Sequence, residues 1–89
     1  MAKYKITFKK SVTKDLRIIP KKDVSRILLR IDALAEEPRA EGCTKLSIQE
    51  RYRVRQGLYR IVYEIRDEAL VVHVVKVGHR STVYKGHLD

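Results

Sequence analysis

Four arginines, Arg51, Arg53, Arg55 and Arg60, fall within the ten residues RYRVRQGLYR, which hold no acidic residue. A guanidinium stays charged at any useful pH, and its planar fork grips phosphate or carboxylate through two N–H bonds at once. Apolar residues alternate with the charges on both sides of Gln56-Gly57, the pattern of a β-hairpin. A two-residue turn at Gln56-Gly57 sets Arg55 opposite Leu58, Arg53 opposite Arg60 and Arg51 opposite Val62. Side chains alternate between faces, so all four arginines project from one side. Tyr52, Val54, Tyr59, Ile61 and Tyr63 project from the other. Like charges facing each other weaken a sheet. A solvated strand face is the bland reading. Crowding on two paired strands favours a dedicated anion site.

Three further groups lie past Gly78: His79, Arg80 and Tyr84. If the strand ends at Gly78, the tail folds over the arginine face near Arg60. His79 then exchanges protons near neutral pH. Tyr84 stacks on a nucleobase or moves a proton. Strand capping by His79 and lid packing by Tyr84 are the structural alternatives. His73 and Glu64 fall on the arginine side as well, one filling the sheet and the other pairing with an arginine. Val75 and Val77 supply an apolar floor beside Arg60 that strengthens any charge interaction there.

The elements that position these groups follow from periodicity. Tyr4, Ile6 and Phe8 alternate with Lys3, Lys5 and Thr7, a first strand. Val12, Leu16 and Ile19 form the stripe of a short helix, with Ser11 as its cap. Pro20 separates it from a longer helix marked by Val24, Ile27, Leu28, Ile31, Leu34 and Ala35, whose other face carries Lys22, Arg26 and Arg30. Glu36-Glu37-Pro38 ends that helix, and Leu46 anchors the polar connection that follows. After the hairpin, a turn at Arg66-Asp67-Glu68-Ala69 leads to a strand over Leu70–Val77. Pairing Ile65 with Leu70 puts Lys76 on the tyrosine side. The order β-α-α-β-β-β predicts an α+β domain: an antiparallel sheet of about four strands with a two-helix hairpin on one face. The helices cover the tyrosine face and leave the arginine face open.

At 89 residues the chain makes one domain, residues 1–89. One cysteine, Cys43, excludes an internal disulfide and a cysteine-rich zinc site. No metal cluster and no cofactor motif is expected. There is no signal-peptide segment and no membrane-length apolar run, so the expected compartment is the cytoplasm. Twenty Lys and Arg against eleven Asp and Glu leave a net charge of +9. That excess, concentrated on the hairpin, points to a polyanionic partner.

The stretch YRVRQGLYRIVYEI followed by VVHVVKVGHRSTVY resembles the RelE/ParE family of bacterial and archaeal toxins, and the resemblance spans essentially the whole chain. It implies a microbial-ribonuclease-like sheet and a cognate antitoxin protein as partner. RelE-like members cleave mRNA, usually in the ribosomal A site, with ribosomal RNA contacts; ParE-like members poison DNA gyrase. The RelE-like pattern places basic groups at Arg53 and Arg55, arginines at Arg60 and Arg80, and an aromatic at Tyr84. The resemblance thus implies Arg60, Arg80 and Tyr84 as catalytic and Arg53 and Arg55 as holding RNA phosphate; the chemistry and placement of the residues themselves add His79 to the first set and Arg51 to the second. The best-known RelE-like nuclease has lysines at the two hairpin positions, one a proposed general base. Arginine is a very poor base. Here the proton work falls to His79, Tyr84 or the ribosomal RNA. The expected function is a metal-independent mRNA endoribonuclease. A gyrase inhibitor and a non-catalytic RNA- or ribosome-binding module are the alternatives.

Overall fold

In the computed structural model, which describes residues 3–46 and 51–79, these patterns resolve into two helices and a five-stranded sheet. The elements are β1 (Lys5–Phe8), α1 (Lys10–Arg17), α2 (Lys21–Glu36), β2 (Thr44–Lys45), β3 (Arg51–Gln56), β4 (Tyr59–Arg66) and β5 (Val71–His79). The sheet order is β1-β5-β4-β3-β2. The α+β class stands. The strand count is five rather than four because Thr44–Lys45 adds a short edge strand. No described helix is long and apolar enough to cross a membrane.

One pairing is not antiparallel. β1 lies parallel to β5, which makes it parallel to β3 as well. The reason is helix length. α1 has 8 residues and α2 has 16, so they run about 12 Å and about 24 Å. The second helix overshoots the start of the first. Its end meets the beginning of β1, where the Tyr4 amide donates to the Ala35 carbonyl at 2.8 Å. The chain therefore re-enters the sheet from the end at which β1 began. Ser11 is not the cap of α1. The helix starts at Lys10 with Lys9 as cap residue, and the Lys9 amide is held by the Val74 carbonyl of β5 at 2.8 Å.

The core lies between the helices and the tyrosine face of the sheet. Val12, Ile19, Ile27, Ile31 and Leu34 pack against Tyr52, Val54, Ile61, Tyr63, Ile65, Val72, Val74 and Val77. Fully burying an aliphatic side chain of this size contributes roughly 1.5–3 kcal/mol. Leu46 does not join this cluster; Cys43 packs against it instead. Leu46 continues the edge ladder, its amide donating to the Arg51 carbonyl at 2.8 Å.

Hydrogen bonds fix the end of the sheet where β1 begins. Tyr63 stacks on Tyr52 and donates its hydroxyl to the Pro38 carbonyl at 2.7 Å. Arg39 lies over the Tyr52 ring, donates to its hydroxyl, and forks onto both oxygens of Asp67. The Tyr4 hydroxyl donates to Asp67 as well, at 2.6 Å. One arginine thus ties the loop after α2 to β3 and to the β4–β5 turn.

Candidate functional site

The hairpin turn is Gly57-Leu58, one residue later than Gln56-Gly57. Gly57 has φ +61 and Leu58 is not in the positive-φ region. That puts glycine first in the turn, where a type II′ hairpin needs it. The register slides by two residues, so the faces survive but the partners change. Arg55 faces Arg60, Arg53 faces Val62, and Arg51 faces Glu64.

A second difference lies in β5. Tyr63 pairs with Val74 and Val62 with Lys76, so Val75 is an extra residue, a β-bulge. Up to Val74 the alternation is as expected, with His73 on the arginine face. Beyond the bulge it reverses. Lys76 joins Val62 on the arginine face, and Val77 joins Ile61 in the core. The apolar floor of the arginine face is therefore Val62 and Val75, outside the main core; both are buried, as is Arg60, so this part of the face is not open as expected.

The bulge also corrects the placement of His79. β5 runs on through Gly78, and His79 sits opposite Tyr59 on the helix side of the sheet. The two rings meet edge-on at 6.1 Å. The Tyr59 hydroxyl donates to Asp23 of α2 at 3.3 Å. Burial, then the Asp23 charge, raises the pKa of that hydroxyl. Arg80 and Tyr84 lie outside the described residues.

Next to an edge row of Lys5, Val71 and Arg66, the face opposite the helices reads as three further rows across the strands. The first is Thr7, His73, Glu64 and Arg51. Thr7 Oγ1 and His73 Nδ1 share a hydrogen bond of 2.7 Å. Glu64 accepts from Arg51 Nε at 3.1 Å and from Arg66 at 2.9 Å. Burial pushes the Glu64 carboxyl up, but the bonds from Arg66 and Arg51 outweigh it and hold it below the ordinary range. This row is close to neutral. The second row is Lys76, Val62, Arg53 and Thr44. Lys76 reaches Asp15 of α1 at 3.3 Å, and Asp15 also accepts the Val77 amide. The third row is Gly78, Arg60 and Arg55. Arg60 is only 4 % exposed, whereas Arg55 is exposed and Arg53 half-buried. Gly78 places no side chain beside Arg60.

Arg53, Arg55 and Arg60 are thus brought together. Arg51 is on the same face but engaged with Glu64. Two participants were not singled out by sequence reading. Lys76 was hidden by the bulge, for which a valine run gives no signal. Arg30 sat on the outward face of a helix, yet lines a cavity with Arg53 and Arg55. Among the described residues, no group of three His, Cys, Asp or Glu side chains gathers as a metal site.

The small sheet with helices on one face and the basic residues of the hairpin on the other is a fold shared with solved RelE-type toxins. Residues 6–84 match the family described as ParE toxin of type II toxin-antitoxin system, parDE. The chain belongs to this RelE/ParE family of toxins of toxin–antitoxin systems. Among individual proteins, it is 26% identical over 84 residues to Toxin RelG of Mycobacterium tuberculosis, covering 92% of this chain and 97% of the relative. The RelBE2 toxin–antitoxin complex of that organism matches with a TM-score of 0.79 at 26% identity, over 88% of this chain and 99% of the matched one. The archaeal RelE–RelB complex from Pyrococcus horikoshii matches with a TM-score of 0.79 at 29% identity, over 93% and 100%.

Proposed function

We propose that this toxin is a metal-independent endoribonuclease that cuts mRNA in the ribosomal A site and so stops translation in the cytoplasm. The observation that carries the reading is the meeting of Arg53, Arg55 and Arg60 in adjacent rows, with Glu64 a row further off and neutralised by two arginines. In this mechanism the substrate's own 2′-hydroxyl attacks the adjacent phosphorus. A 2′-O–P bond forms, the P–O5′ bond breaks, and a 2′,3′-cyclic phosphate and a 5′-hydroxyl result. Arg53 and Arg55 hold the backbone phosphates. Arg60, shielded from water, and Arg80 stabilise the charge that develops on phosphorus. Such a donor counts for most where water is excluded.

The proton leaves the 2′-hydroxyl and ends on the 5′ oxygen. Arginine is unsuited to both transfers. With His79 turned toward Tyr59, the transfers fall to Tyr84 or to the ribosomal RNA, and His79 serves to brace the end of β5. The partner that restrains the toxin is a cognate antitoxin with an acidic segment, complementary to a chain of net charge +9. Relatives of this fold are solved as toxin–antitoxin complexes.

Inducing the chain in a translation extract and mapping mRNA 5′ ends by primer extension tests the reading. Cuts should fall within translated frames, and naked RNA should be cut poorly. A second reading, a gyrase poison, is favoured by the ParE description of the matched family. Intact mRNA together with stabilised gyrase–DNA cleavage complexes would select it.

A further inference from the structure

β2 is only two residues long and begins at Thr44, opposite Arg53. Among the described residues, no strand continues alongside Arg55. The chain before β2 turns away at Gly42, whose φ of +94 suits glycine. The turn leaves a cavity of about 330 Å³ against the edge of β3, lined by Arg30, Gly42, Thr44, Arg53, Val54 and Arg55. Ligand sites begin at about this size.

Its chemistry is one-sided. Among the described residues, three guanidinium groups and one hydroxyl line it and no carboxylate does. Arg30 comes from α2 and the others from the sheet, so the set exists only in the folded chain. The Arg30 guanidinium is oriented by the Glu41 carbonyl, to which it donates at 3.3 Å. Main-chain groups add to this. Leu46 bonds to Arg51, and the N–H and C=O of residues 51, 53 and 55 point to the same edge by alternation. At Arg55 that edge faces the cavity rather than a strand.

We infer that this cavity is a subsite for an RNA backbone phosphate, one nucleotide removed from the phosphate that reacts, and that Arg30 is one of its binding residues. The inference deepens the nuclease reading and rests on it. Arg53 and Arg55 line both the cavity and the open face, so one strand of RNA reaches both without leaving the protein. Convergent guanidinium forks match a phosphate's several oxygens better than a single carboxylate. A pocket built for an acidic side chain of a protein partner is the competing outcome.

Adenosine 3′,5′-bisphosphate, titrated into the full-length chain and followed by amide NMR shifts, probes the subsite without needing cleavage. Shifts should centre on Gly42, Thr44 and Arg55. Arg30→Gln keeps a donor for the Glu41 carbonyl and removes the charge. It should weaken bisphosphate binding about tenfold and lower the salt slope by about one. Arg30→Lys should retain the salt slope. An unchanged affinity and slope in Arg30→Gln, or shifts confined to the neighbours of Arg60, would overturn the subsite. So would Arg30→Gln weakening antitoxin association while leaving bisphosphate binding intact. If the chain cuts no mRNA but binds the bisphosphate in an Arg30-dependent way, the cavity stands as a phosphate site, while the nuclease reading and the placement beside a reacting phosphate fail.

Discussion

Arg55 lies directly across the β3–β4 ladder from Arg60, yet the two occupy opposite environments. Arg55 is exposed, while Arg60 keeps 4 % of its surface. Directly opposed like charges cost roughly 0.2–1 kcal/mol, a cost the fold bears at the place where the proposed chemistry needs two cations.

Replacing the exposed member should therefore relieve strain and harm function together. Arg55→Thr should stabilise the domain by about 0.2–1 kcal/mol. That corresponds to a rise in Tm of roughly 1–8 °C for a chain this size. RNA affinity should fall in the same variant. Thermal unfolding beside a binding titration checks both, and a lower Tm would show that Arg55 has a structural partner.

The buried and the accessible arginines should fail differently. Arg60→Ala should lower cleavage by roughly a hundred- to a thousandfold with ribosome binding largely kept, since its proposed contribution is to the transition state. Arg80→Ala should behave likewise. Arg53→Ala should weaken binding as well as cleavage. Equal loss of binding in all three variants would reduce the face to a general electrostatic patch.

Glu64 neutralises two cations on the open face. Glu64→Gln should release Arg51 and Arg66 for phosphate, tighten non-specific RNA binding, and steepen its salt dependence by up to about two. Binding isotherms over a series of salt concentrations measure the slope. An unaltered slope would mean that nucleic acid does not reach the first row.

Acid should loosen the end of the sheet where β1 begins. The Arg39 and Tyr4 hydrogen bonds hold the Asp67 carboxyl below its ordinary range, and Glu64 is lowered too. A lowered folded pKa means stability that is complete above the unfolded value, about 4. It is lost as pH falls through the folded value. Urea unfolding between pH 7 and pH 3 should show that decline, and Asp67→Asn with Glu64→Gln should flatten it. A decline of equal steepness in the double variant would place the acid sensitivity elsewhere.

Much of this architecture is legible in residue order because two periods carry it. The stripes Val12-Leu16-Ile19 and Val24-Ile27-Ile31-Leu34 define the helices and their buried side. Period-two alternation assigned Arg51, Arg53, Arg55 and Arg60 to one face even though the turn lay one residue later, because a slide of two preserves parity. What stayed hidden depends on quantities that a local pattern does not hold. The parallel β1–β5 pairing follows from one helix being twice as long as the other. The bulge at Val75 sits in VVHVV, where consecutive valines suit either face. Arg30 reads as a solvated helix position until the loop turns at Gly42 beside it. Within the candidate site, the hairpin arginines were readable, and the pocket that joins them to α2 was not.

Because β5 changes parity at Val75, the strand is written in two reading frames. Residues before 75 and residues after it obey opposite rules for which side of the sheet they serve. Loss of that one codon would merge the frames. No side chain would change sides: Lys76 would still stand opposite Val62, Val77 opposite Ile61, Gly78 opposite Arg60 and His79 opposite Tyr59, now in unbroken alternation from Val74. The extra residue is thus the one position in the strand whose removal, unlike that of any neighbour, keeps the site and the core in the same frame.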